Sequence, residues 1–349
     1  LGGPITGAGG PGTLGAAKNY EIEFRIWKTM SGTSNSDLIF AEKQVISSST
    51  EEVNSLYGGD FDGDGDIDAV ASEFGDNRVI WFENDGSGDF SDKMKVNPST
   101  TIFELMKGDL NGDGMVDVVI GGGGPDYPIY WSRNLANGNF SPPRNIALPS
   151  DNAFGPNVSD MDGDGDIDII AYNPEDEIII WYENDGLGNF SPFQTLAESI
   201  IGDISGQLQS GDLNGDGLND IFTTNYTPNK FKWYLNEGDG ILGDEQWRTL
   251  DFARFPIGSD LDLDGDLDVI LVSDGCCIYW FENDGDGNFE SASLITDETN
   301  NARSLHAGDL DGDGDMDIIA TSAVDQVIEW YENEGDEIFG ERQYIEIEG

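Results

Sequence analysis

The chain has 349 residues, and its 69 Asp and Glu against 16 Lys and Arg give a formal net charge of −53 at pH 7. Charge of that sign and size repels the phosphates of nucleic acids and of anionic membranes, which excludes both as partners. The 37% hydrophobic and 11% aromatic content is too high for a disordered acidic chain, so the acid must be organised, and divalent cations are the simplest agent.

The first segment, residues 1–18 (LGGPITGAGGPGTLGAAK), reads as a flexible Gly-rich tail. The start at Leu1 without a leader fits a mature, processed chain, and no apolar run approaches the length of a membrane span, which fits a soluble protein. Residues 19–46 hold a partial copy of a unit that then recurs in full. It carries a Trp strand at Trp27, a turn and an outer strand, but no acidic loop.

The acidic loop appears first as DFDGDGDID (60–68). It returns as DLNGDGMVD (109–117), DMDGDGDID (160–168), DLNGDGLND (212–220), DLDLDGDLD (260–268) and DLDGDGDMD (309–317), at intervals of 48 to 52 residues. An apolar run follows each loop, then a strand with a tryptophan, then a glycine turn, as in VIWFENDGSGDF (79–90). Four short strands per unit are predicted, with the middle two apolar on both faces. A sheet that must be covered on both sides, repeated at a period near fifty, is the blade of a β-propeller rather than a solenoid layer. The expected fold is therefore all-β: a seven-bladed propeller over residues 19–349, its first blade incomplete and lacking two inner strands. Trp81, Trp131, Trp181, Trp233, Trp280 and Trp330 continue the series begun by Trp27 and read as blade packing; Trp247 stands outside it. Cys276 and Cys277 are adjacent, and the sequence leaves open a vicinal disulfide or two thiols.

Five aspartates at alternate positions repel one another unless something neutralises them. Calcium takes six to eight oxygens, and a tight loop supplies them from alternate residues. In the first copy Asp60, Asp62 and Asp64 take positions 1, 3 and 5, the Asp66 carbonyl takes position 7 and Asp68 closes at position 9. The other candidate ligands are Asp109, Asn111, Asp113, Met115 and Asp117; Asp160, Asp162, Asp164, Asp166 and Asp168; Asp212, Asn214, Asp216, Leu218 and Asp220; Asp260, Asp262, Asp264, Asp266 and Asp268; and Asp309, Asp311, Asp313, Asp315 and Asp317. At position 7 the backbone is the expected ligand, with the side chains of Asp66, Asp166, Asp266 and Asp315 facing solvent. An EF-hand needs a bidentate Glu at position 12. Here that position holds Ala71, Ile120, Ala171, Thr223, Leu271 and Ala320, which excludes it. Asn111 and Asn214 lower the ligand charge of their loops and should weaken calcium there.

The D-x-[DN]-x-D-G-x-x-D loop resembles the calcium hairpin of integrin-type FG-GAP repeats, also called VCBS repeats in bacterial surface proteins. The resemblance covers residues 19–349, although the Gly-Ala-Pro segment of integrins is absent. It implies a seven-bladed propeller with about six calcium ions, one between strands one and two of each complete blade. It also implies that the 1–2 and 3–4 turns share one face.

His306 is the only histidine, and no nucleophile elbow, zinc motif or phosphate loop is present. The expectation is a non-enzymatic, extracellular binding or adhesion module for a glycan or protein, with ligand on the face opposite the calcium loops. Phe74, Phe103, Tyr127, Phe154, Tyr172, Tyr226 and Phe255 lie on that face, as sugar platforms or as packing residues. The alternatives are a filament or surface-layer subunit whose residues 1–18 contact another copy, and a polysaccharide-acting enzyme using a carboxylate pair.

Overall fold

The computed structural model describes residues 20–24, 44–50, 53–96, 102–123, 127–136, 139–147, 151–198, 208–225, 229–273, 276–322, 324–335 and 338–345. Among them no helix is long and apolar enough to cross a membrane. Two short strands come first, β1 (Tyr20–Phe24) and β2 (Gln44–Thr50), paired with each other.

Six four-stranded antiparallel sheets follow. Blade one holds β3 (Val53–Gly59), β4 (Asp68–Glu73), β5 (Arg78–Asn84) and β6 (Phe90–Val96). Blade two holds β7 (Ile102–Gly108), β8 (Asp117–Gly122), β9 (Ile129–Ser132) and β10 (Arg144–Asn145). Blade three holds β11 (Phe154–Ser159), β12 (Asp168–Asn173), β13 (Ile178–Tyr182) and β14 (Gln194–Ala197). In blade four are β15 (Gln209–Gly211), β16 (Asp220–Asn225), β17 (Lys230–Tyr234) and β18 (Gln246–Thr249). In blade five are β19 (Ala253–Ser259), β20 (Asp268–Ser273), β21 (Cys277–Phe281) and β22 (Ser293–Thr296). Blade six is β23 (Ala302–Gly308), β24 (Asp317–Ser322), β25 (Val327–Tyr331) and β26 (Gln343–Ile345). The chain divides into two compact units. Blades one to three and the β1–β2 pair belong to the first, blades four to six to the second, and residues 161–163 group with the second.

The blade count is six, and the expected seventh blade is corrected. The seven-fold count rested on the Trp hairpin of residues 19–46, but β1 and β2 pair only with each other. Without an acidic hairpin this segment lacks the sequence that forms the inner strands of the other blades, and among the described residues it makes a two-stranded sheet. Instead Ile46 of β2 packs with Ala69, Ala71, Ile80 and Phe82 of blade one and covers that sheet. Trp27 and the tail of residues 1–18, with its expected contact to another copy, lie outside the described residues.

The middle strands are apolar on both faces because both faces are covered. β4, β8, β12 and β16 are buried along their whole length. In the first unit Val70, Trp81, Leu105, Val118 and Ile120 share one core cluster. In the second, Leu213, Phe222, Trp233, Val269 and Phe281 do the same. Each cluster draws from two successive blades, so a tryptophan strand is the filling between sheets. Phe231, Trp233 and Phe289 pack with ring centroids 4.9 to 5.1 Å apart, close enough for favourable edge and offset contacts. Cys276 and Cys277 form a vicinal disulfide at the start of β21.

Candidate metal centre

Each acidic loop joins the first strand of a blade to the second, and its last aspartate opens that second strand. Asp68, Asp117, Asp168, Asp220, Asp268 and Asp317 are all buried. A buried carboxylate needs donors, and each finds one in the asparagine of the glycine turn. Oδ1 accepts the backbone N–H of Asn84, Asn134, Asn184, Asn236, Asn283 and Asn333 in turn, at 2.6 to 2.9 Å. Oδ2 accepts the N–H at position 2 of its own loop, from Phe61, Leu110, Leu213, Leu261 and Leu310. Position 9 thus ties the loop's beginning to the turn after the Trp strand. Burial raises the carboxyl pKa of Asp268 to about 7 and those of Asp220 and Asp317 to about 6.

The same asparagines stitch one blade to the preceding loop. Asn134 Nδ2 donates to the Phe61 carbonyl at 2.7 Å and Asn184 Nδ2 to that of Leu110 at 2.8 Å, both in the first unit. In the second unit Asn283 reaches Leu213 at 2.7 Å and Asn333 reaches Leu261 at 3.3 Å. Among the described residues the Asn84 amide, in the first complete blade, donates to the Ile67 carbonyl within its own hairpin and to no preceding loop. In the sequence these asparagines stand out only as part of the glycine turn. The signal that could have found them is their fixed place three residues after the tryptophan of each Trp strand, before a D-G or E-G pair in every copy but that of Asn134.

The earlier loop positions curl around their own carboxylates. Asp60 accepts from Gly63 at 2.7 Å and from Gly65 at 3.0 Å, and Asp64 accepts from the Asp66 N–H at 2.9 Å. Gly65 holds φ +97°, a left-handed conformation that glycine enters without steric cost. Three carboxylates lie with ligand oxygens within 4.8 Å of one another in four loops: Asp60, Asp62 and Asp68; Asp160, Asp162 and Asp168; Asp260, Asp262 and Asp268; and Asp309, Asp311 and Asp317. The position-5 acids Asp64, Asp164, Asp264 and Asp313 stand outside these groups. At position 7 the side chains of Asp66, Asp166 and Asp266 lie against Gly86, Gly186 and Gly285 of the glycine turns, where a Cβ would come within 2.4 Å of a carboxylate oxygen. These side chains are partly exposed, rest on the turn and lie outside the three-carboxylate groups.

Hard oxygen donors converging on one point fit a calcium ion in those four loops. Sequence reading did not include the residue before the asparagine, which is Glu83, Glu183, Glu282 and Glu332 in the same four blades. Asp62 shows its effect: burial raises this carboxyl's pKa, and the charges of Asp64, Glu83 and Asp60 add to the rise. Loops two and four differ. Asn111 and Asn214 replace the position-3 acid, Arg133 and Leu235 replace the glutamate, and no three-carboxylate group forms there among the described residues.

Outside the loops, the aromatic candidates divide. Phe74 is exposed, Tyr172 is buried and Phe255 packs against a core cluster. Tyr127 and Phe154 meet edge to face at 5.3 Å. The side chain of Phe103 and all of Tyr226 lie outside the described residues. A cleft of about 390 Å³ opens in the second unit between β18 and the turn of blade five. Arg248, Asp284, Asn288, Phe289, Glu290 and Ser291 line it. Arg248 Nε donates to the Phe289 carbonyl at 2.9 Å, with its guanidinium 5.4 Å from the Trp233 ring. Asp284 accepts the Asn288 backbone N–H at 3.1 Å.

The sequence profile of the FG-GAP-like repeat matches residues 60–120, 109–171, 160–223 and 260–320. No curated protein matches the chain. Among solved structures, the chain is similar to an Agrocybe aegerita lectin described as recognising non-reducing terminal N-acetylglucosamine. The identity is 24%, over 83% of this chain and 79% of that one, with a TM-score of 0.64. A functionally unknown protein from Desulfotomaculum acetoxidans is similar at 12% identity, over 89% of this chain and 90% of that one, with a TM-score of 0.60.

Proposed function

The chain belongs to the FG-GAP-like repeat family, and from that premise we propose that it is a glycan-binding β-propeller protein stiffened by calcium and working outside the cell. The observation that carries the proposal is the cleft of about 390 Å³ beside β18. It is an open site at the surface rather than an enclosed pocket. Its lining is polar, with Arg248 held by the Phe289 carbonyl, Asn288 held by Asp284, and Glu290 and Ser291 beside them. Such a polar lining suits a hydroxyl-rich ligand, which can add hydrogen bonds to those its groups already make, and offers little to an apolar one. The fold shared with a lectin that recognises terminal N-acetylglucosamine supports the same ligand class. The cleft includes the glycine turn itself, so the proposal moves the ligand from the opposite face to the turn.

In this reading calcium has no chemical step. When bound, it supplies positive charge that lets the acidic loops close, and Asp60, Asp62 and Asp68 and their counterparts in the other three loops would hold it. Extracellular calcium suits sites of this class, whose affinities in extracellular modules run to ~10⁻⁴–10⁻³ M. A glycan array in calcium-containing buffer, followed by titration of N-acetylglucosamine-terminated oligosaccharides, tests the proposal. Asn288→Ala and Ser291→Ala should weaken binding at least about tenfold without lowering the melting temperature. Silence across the array in saturating calcium would defeat the glycan reading.

A further inference from the structure

We propose that the loop of residues 109–117 is closed by Arg133 in place of a metal ion. The inference rests on the reading that loops one, three, five and six hold calcium, and it says that loop two departs from them. Arg133 Nη2 lies 2.8 Å from Asp113 Oδ2. Asn111 Nδ2 donates to Asp117 Oδ2 at 2.9 Å. The remaining oxygens are also engaged. Asp109 Oδ1 accepts from the Asn111 and Asp113 N–H groups and Oδ2 from Gly114. Asp113 Oδ1 accepts from Met115, and Asp117 Oδ1 accepts from Asn134. All six carboxylate oxygens of this loop therefore have an N–H donor, one of them cationic.

Loop one has the opposite balance. Asp62 and Asp64 each accept a single backbone N–H at Oδ1, and among the described residues no donor reaches the Oδ2 of either. In the place of Arg133 it carries Glu83, another anion. The two substitutions in loop two occur together: where position 3 is Asp, the residue before the turn asparagine is Glu83, Glu183, Glu282 or Glu332, and where position 3 is Asn111, that residue is Arg133. One change removes a negative charge from the loop and the other adds a positive one. Both lower the loop's attraction for a cation. Leu235, beside the Asn214 loop, adds no charge, so that loop keeps a weakened site and loop two has none.

Calcium alone, bound per chain in equilibrium dialysis of the full-length protein, distinguishes the outcomes. Asp60→Asn in loop one should lower the count by one. Asp109→Asn in loop two should leave it unchanged, and the double variant Asn111→Asp/Arg133→Glu should raise it by one. A fall of one ion in Asp109→Asn, matching Asp60→Asn, overturns the inference. So does a folded double variant that gains no ion. Should the double variant not fold, Asp109→Asn alone decides. An unchanged count in Asp60→Asn would instead defeat the calcium reading of the other loops.

Discussion

Glu104 in β7 is 8% exposed, and burial lifts its carboxyl pKa to about 8. The nearby Tyr57 hydroxyl is raised to about 12, by burial first and by Glu104 second. A carboxyl whose pKa rises on folding stabilises the protein while protonated. That contribution is fully present below about pH 4.5 and is lost as pH climbs through about 8. Glu104→Gln should therefore flatten the loss of stability across that window. It should raise the melting temperature at pH 8, the gain amounting to roughly 4 kcal/mol at most. A melting curve against pH that is the same for both proteins would show that Glu104 ionises freely. Gly188 gives a second prediction. With φ +76°, an added Cβ would stand 2.1 Å from Trp131 Cη2. Gly188→Ala should cost roughly 2–4 kcal/mol from overpacking and a left-handed backbone together, read as a lowered denaturant midpoint. At this scale the loops were legible only in part. Spacing located every aspartate, but it could not show that position 9 gives one oxygen to an N–H of its own loop and the other to the turn asparagine, because that second donor lies beyond the Trp strand.

The turn asparagines act between elements. Asn184 links β13's turn to the Leu110 carbonyl and to Ile167, whereas among the described residues the Asn84 amide donates to Ile67 alone. Asn184→Ala should destabilise the protein more than Asn84→Ala, by about 1–3 kcal/mol, since it strips a buried carbonyl of its partner. Equal losses in chemical denaturation would mean that the stitch between blades adds nothing. Strand positions were readable because each copy repeats the order of acidic loop, apolar run, Trp strand and glycine turn, and the observed registers follow it from Val70 opposite Trp81 to Ile319 opposite Trp330. The blade count was misread because residues 19–46 repeat the outer half of that pattern. Sequence similarity counts copies of a strand pair, whereas a blade also needs the acidic hairpin that supplies its inner strands.

Across the whole chain the governing quantity is the charge of −53. Each ion bound at a hundred times its dissociation constant adds about 2.7 kcal/mol to folding. Removing several by chelation should lower the melting temperature by on the order of tens of degrees. Adding sodium chloride to the chelated protein should recover part of the loss by screening the acidic loops. A melting temperature indifferent to both chelator and salt would show that the loops close without help. The asparagine stitch has a further consequence, for how such a chain can grow. Each of blades two, three, five and six brings a plug, the asparagine amide, and the loops preceding them bring the socket, a position-2 carbonyl. A gene segment of about fifty codons carries one of each. Duplicated in tandem, it would meet a fitting partner on both sides without any change elsewhere, so the number of repeats is free to drift while the joint between them stays the same.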